Sequence, residues 1–136
     1  MQQELIDYIN AQRAEAIEFS KQPDCWMGMM VEPEDTAYWS NRVPSGTLAE
    51  FERIELEESA YYATADAYSK GYARSFDFST MSDAQLEKLV KEACAEMDAQ
   101  IEEDKAYQAA EEKRIAELAS SLSVDVNTLN RWMEAA

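Results

Sequence analysis

The chain has 136 residues, 46% of them apolar, a length that fits one domain and a composition too rich in Tyr, Phe and Trp for a disordered acidic tail. Twenty-eight acidic residues against twelve basic ones leave a formal charge of −16, which repels phosphate backbones and anionic lipids and disfavours direct binding to nucleic acid. With no histidine and only three isolated glycines, the sequence offers no Ser-His-Asp or Cys-His constellation, no Cys/His zinc finger, no Glu-x-x-His di-iron pair and no phosphate loop.

Few Gly and Pro beside abundant Ala, Glu, Leu, Met, Gln and Lys predict an all-α fold, a small helical bundle within a single domain spanning 1–136. Leu5, Ile6, Ile9, Ala16 and Ile17 recur at helical spacing and place a first helix within residues 1–22, stopping before Pro23. Residues 23–46 hold all three prolines and two of the three glycines, together with Trp26, Met27, Met29, Met30, Val31, Tyr38 and Trp39. This aromatic and Met-rich connector either folds back to close the core or presents Trp26, Met29, Met30 and Trp39 as a partner-binding patch of soft anchors. A second helix is expected over 47–72: Thr47 and Glu50 have capping-box spacing, and Phe51, Ile54, Tyr61, Ala65, Tyr68 and Tyr72 form one apolar stripe ending at Gly71.

After a linker over 72–80, Ser82 and Gln85 announce a second capping box and a long helix over 82–121, with Leu86, Val90, Ala93, Met97 and Ile101 as its buried edge. Past Ile101 the sequence keeps helix propensity but loses apolar anchors, so the helix projects into solvent or packs on another molecule. An unbroken helix of that span would reach about 60 Å, which predicts a break or a partner. Ile115, Leu118, Leu122, Leu129, Trp132 and Met133 restore apolar spacing around Ser123-Val124-Asp125, consistent with two short helices, the last within 122–136. The predicted core comprises Phe51, Ile54, Tyr61, Leu86, Val90, Met97 and Leu118.

No catalytic residue, metal ligand or cofactor is assigned. Glu102, Glu103 and Asp104 are consecutive, so on a helix they diverge by about 100° each and do not converge on one cation. Glu102, Glu103, Asp104, Glu111 and Glu112 are instead candidates for contact with a partner's basic surface. Cys25 and Cys94 have no C-x-x-C partner, which implies free, buried thiols and a reducing compartment. No apolar run of about 18 residues and no basic-then-apolar start is present, so no membrane association and a cytoplasmic location are expected.

The segment from Ile115 through Leu118-Ala119, Leu122-Ser123-Val124 and Thr128-Leu129-Asn130-Arg131-Trp132 resembles a helix-turn-helix, with Ser123 at the place of the turn glycine. The resemblance implies that Leu118 and Ala119 pack the first helix, Val124 plugs the turn, and Leu129 with Trp132 seats the second. The order of residues 47–53, 68–74 and 81–87 is similar to small acidic helical proteins of bacteriophages and prophages, a group without an assigned function. Together these readings lead to the expectation of a non-catalytic acidic protein-binding module, a phage-encoded modulator of a host nucleic-acid-handling or defence protein acting by charge mimicry in the host cytoplasm. The alternatives are a virion-associated or scaffolding homo-oligomer and a helix-turn-helix transcriptional regulator.

Overall fold

The computed structural model describes residues 1–136 and contains helices and no strand. In chain order the elements are α1 (Gln3–Ser20), α2 (Thr36–Arg42), α3 (Leu48–Ala67), α4 (Lys70–Arg74), a 3₁₀ turn (Phe78–Thr80), α5 (Asp83–Ser121) and α6 (Val126–Glu134). Each start from α2 onward is set by a short polar side chain accepting a backbone N–H: Asp35 from Tyr38, Thr47 from Glu50, Ser69 from Tyr72, Ser82 from Gln85 and Asp125 from Thr128. At Ser82 the box is reciprocal, because the Gln85 side chain accepts the Ser82 N–H at 2.8 Å. The Thr47 box is not: the Glu50 carboxylate accepts instead from the Ser45 backbone N–H, at 2.8 Å, and from the Ser45 hydroxyl.

The body of the molecule is built on α3. Leu5 and Ile9 of α1, Trp39 of α2, Val43 and Phe51 form one buried cluster, ringed by Tyr8, Met30, Val31, Leu48 and Ile54. The connector therefore folds back, and the Trp39 indole donates to the Glu32 carbonyl at 2.9 Å, pairing its one polar atom as it is buried. At the other end of α3, Ala63 and Ala67 meet Ala93 of α5, flanked by Val90 and Met97. Arg53, early in α3, reaches Asp83 at 2.6 Å, while the Gln100 amide donates to the Ala67 carbonyl at 2.9 Å. The two helices thus run parallel, and residues 68–82 return along the length of α3.

That return path corrects the expected second helix and linker. A single helix over 47–72 would carry the chain away from the start of α5; the backbone breaks at Tyr68, and Ser69 caps the new helix α4 that contains Gly71. Tyr68 and Tyr72 consequently leave the core face and are exposed, and Ala60, Ala63, Thr64, Ala67 and Ala73 are buried in their place. Rings follow one another along this path, Tyr72 on Phe76 at 5.1 Å, Phe76 on Phe78 at 5.7 Å and Phe78 on Tyr61 at 6.4 Å. Within the connector, α2 was likewise unforeseen; its signal is Asp35, an N-cap residue shortly after Pro33.

Arginines fasten the body. Arg42 on α2 donates to Glu55, at 2.7 Å, and to both oxygens of Glu58 on α3. Arg53 donates to Glu57 and Asp83 and to the carbonyls of Phe78 and Met81. Arg13 ties α1 to the Met30 carbonyl and to Glu32. Gly46 sits at φ +68°, its carbonyl accepting from the Gln2 N–H at 2.9 Å, which closes the turn before α3 onto the chain start.

Helix α5 is unbroken for 39 residues, about 58 Å. Of the two expected outcomes, a break or a partner, the break is absent: beyond Gln100, its last hydrogen bond to α3, the stretch is rich in residues that propagate a helix. Leu118 and Ile101, expected in the core, are 38% and 50% exposed, and Ile17 of α1 is also exposed. Phe51 and Leu86 are buried as expected, with Ile54, Tyr61, Val90 and Met97 partly buried.

Candidate protein-binding surfaces

From Asp98 to Ala110 every residue of α5 is exposed, so the helix leaves the body as a bare shaft. The whole of α5 carries eleven carboxylates against five cations. Glu102, Glu103, Asp104 and Glu112 are exposed and Glu111 is half-buried, and successive 100° rotations spread the first three around the axis. No group of three or more Cys, Asp or Glu side chains is gathered closely enough to hold a metal ion. Lys105 pairs with Glu102 at 3.2 Å and Arg114 with Glu111 at 2.6 Å. The Arg114 hydrogen bond holds the Glu111 carboxyl below the usual carboxylate range. Glu103, Asp104 and Glu112, like Asp98, have no ion-pair partner within the chain and are open to another molecule.

Where the shaft meets α6, a groove of about 480 Å³ is lined by Tyr107, Gln108, Ile115 and Val126, with Glu111 and Glu112 at its rim. Its apolar walls suit the aliphatic stem of a lysine or arginine and its rim suits the charged head. Tyr107, 71% exposed, is a groove-lining side chain that sequence reasoning missed; its signal is a lone aromatic ring inside a run of charged and small residues.

The connector patch is divided. Trp39 is buried, 3% exposed, and its place in the core corrects its assignment as a binding anchor, whereas Met30 packs against the same cluster and is partly buried. Trp26 is 82% exposed and Met29 is exposed, beside a shallow hollow lined by Ile17, Ser20 and Met27.

The tail has helix-turn-helix features at its inner positions only. Ile115, Ala119 and Leu129 are buried with Val124 against them, and Ser123 takes φ 58°, the left-handed conformation that the pattern meets with glycine. Leu118 and Trp132 are exposed instead of packed. The first of the two helices is the end of α5 itself, and Arg131 is the one cation on α6. Of the two thiols expected to be buried, Cys25 is half-buried and Cys94 is exposed on α5.

No helix is long and apolar enough to cross a membrane. No family model, curated protein or solved structure matches this chain.

Proposed function

We propose that the chain is a non-catalytic protein-binding module whose acidic shaft docks on the basic surface of a partner. The observation that carries this reading is the run from Asp98 to Ala110: thirteen consecutive helical residues, all exposed, on which Glu103 and Asp104 have no ion-pair partner. Beyond Gln100 no core of the chain itself covers this segment, whereas a lysine- or arginine-lined surface would. A rigid helix presenting carboxylates in line competes for grooves shaped to hold phosphates, gaining association rate and a salt-sensitive affinity. Glu111, Glu112 and Tyr107 at the distal groove supply a second point of grip. The resemblance to phage proteins read from residues 47–53, 68–74 and 81–87 is what supports a phage-encoded modulator of a host nucleic-acid-handling or defence protein as the biological setting.

The test is capture of partners from host lysate with the tagged chain, followed by calorimetry of the purified pair. Charge reversal to Lys at Glu102, Glu103 and Asp104 moves the net charge from −16 to −10. It should weaken binding at least tenfold while leaving the helical signal intact. Raising salt from about 50 to 500 mM, which shortens screening from over 10 Å to under 5 Å, should weaken the wild-type complex steeply. Affinity indifferent to both changes refutes charge mimicry, and loss of binding on Trp26→Ala with Met29→Ala would move the contact to the connector.

A further inference from the structure

Where the chain returns along α3 on its way to α5, the rings of Tyr61, Tyr62, Phe76 and Phe78 line one pocket of about 440 Å³. The rings stand as walls. That of Tyr61 is nearly perpendicular to Tyr62, at 5.3 Å and 80°, and to Phe78, at 6.4 Å and 89°, while Phe76 lies closer to parallel with Phe78, at 5.7 Å and 23°. Rings crossed in this way turn π faces towards more than one side of a shared space, and each face is electron-rich. None of the four is fully buried and Tyr62 is 63% exposed, so the pocket opens to solvent. No Lys or Arg lines it, whereas three carboxylates do, those of Glu57, Glu58 and Asp77.

We propose that this pocket is a binding site for a quaternary ammonium group, the trimethylammonium head carried by choline or by a trimethylated lysine. Charge sets the sign of the ligand. Arg42 and Arg53 are shared among Glu55, Glu57, Glu58 and Asp83, and Asp77 has no ion-pair partner, so these groups keep a negative balance in a chain of net charge −16. Hydrogen bonding sets its kind. Glu58 accepts from Arg42 on both oxygens, Glu57 accepts from Arg53, and Asp77 accepts from the backbone N–H and the hydroxyl of Ser79. A bare ammonium or a guanidinium entering the pocket brings N–H donors that these occupied acceptors serve poorly, and donors left unpaired are costly to desolvate. A quaternary ammonium brings none. Its charge is spread over methyl groups that pack on ring faces, and the ring quadrupoles and the surrounding carboxylates stabilise it together. The site belongs to the α3 body and stands independently of the acidic shaft.

Choline chloride titrated into the full chain, in exchange for sodium chloride so that ionic strength stays constant, should shift the ring NMR signals of Tyr61, Tyr62, Phe76 and Phe78. The shifts should saturate with a dissociation constant of about 1–10 mM. The uncharged isostere of choline, in which carbon replaces nitrogen, has the same shape and should bind about tenfold more weakly. Asp77→Asn should weaken choline and leave the isostere unchanged. Tyr62→Ala, at an exposed position, should weaken choline about tenfold, and Tyr62→Phe, which keeps the ring, should bind as the wild type does. Far-UV circular dichroism reports whether each variant folds. A trimethyllysine peptide that binds more tightly than choline, and loses binding without its methyl groups, assigns the head to a protein; choline binding at least as tightly assigns it to a free small molecule. Absence of ring shifts up to about 100 mM choline, equal binding of the uncharged isostere, equal binding of the unmethylated peptide, or full affinity in folded Tyr62→Ala would each overturn the proposal.

Discussion

Phe51→Ala tests the packing of the body directly. Phe51 is 4% exposed in the main cluster, its ring 5.6 Å from that of Tyr8 and 6.0 Å from that of Trp39, so three of the chain's elements meet at it. Truncation removes the buried ring and leaves a cavity among Leu5 and Ile9 of α1 and Val43 at the end of α2, which are held in place by their own helices. The expected cost is about 3–5 kcal/mol, roughly a fifth or more of the stability of an ordinary domain. Urea denaturation followed by Trp39 fluorescence, with Trp26 and Trp132 replaced by Phe in both proteins, reads the change in midpoint. Melting by circular dichroism should shift down by roughly 10–20 °C for the α1–α3 body. A loss under about 1 kcal/mol would show that the cluster is not the stabilising centre of this fold.

Two further outcomes follow from particular contacts. Gly46→Ala places a Cβ 2.9 Å from the Met1 Cα at a φ of +68°, so it should destabilise by about 1–3 kcal/mol and expose the start of α1 to amide exchange; unchanged protection of Gln2 would contradict the close approach. Hydrogen bonds from Arg42 hold the Glu58 carboxyl below its ordinary value of 4.5, so the folded state binds this proton less tightly than the unfolded chain. The stabilisation is therefore fully present above about pH 5 and lost as pH falls through the depressed value; Glu58→Gln should flatten that part of the stability profile, and an unaltered profile would remove the α2–α3 ion pair from the account.

The helical class, the starts of α3, α5 and α6, and the membership of Phe51 and Leu86 in the core were legible in the sequence, because caps and apolar spacing are local codes read within one or two turns. The acidic shaft was legible for the same reason: residues 98–110 have strong helix propensity and too little apolar surface to be held by a core. Which side chains of the connector turn inward was not local information. Trp26 and Trp39 carry the same chemistry in the same loop-rich segment, and only the packing of α2 on α1 and α3 buries one and leaves the other in solvent. The parallel run of α3 and α5 decided the rest. It forces the chain back over residues 68–82, breaks the periodic stripe at Tyr68, and ends the supporting contacts at Gln100. Leu118 and Trp132 match the buried pattern of a helix-turn-helix by spacing, yet burial requires an element opposite them, and the tertiary structure of one chain brings none.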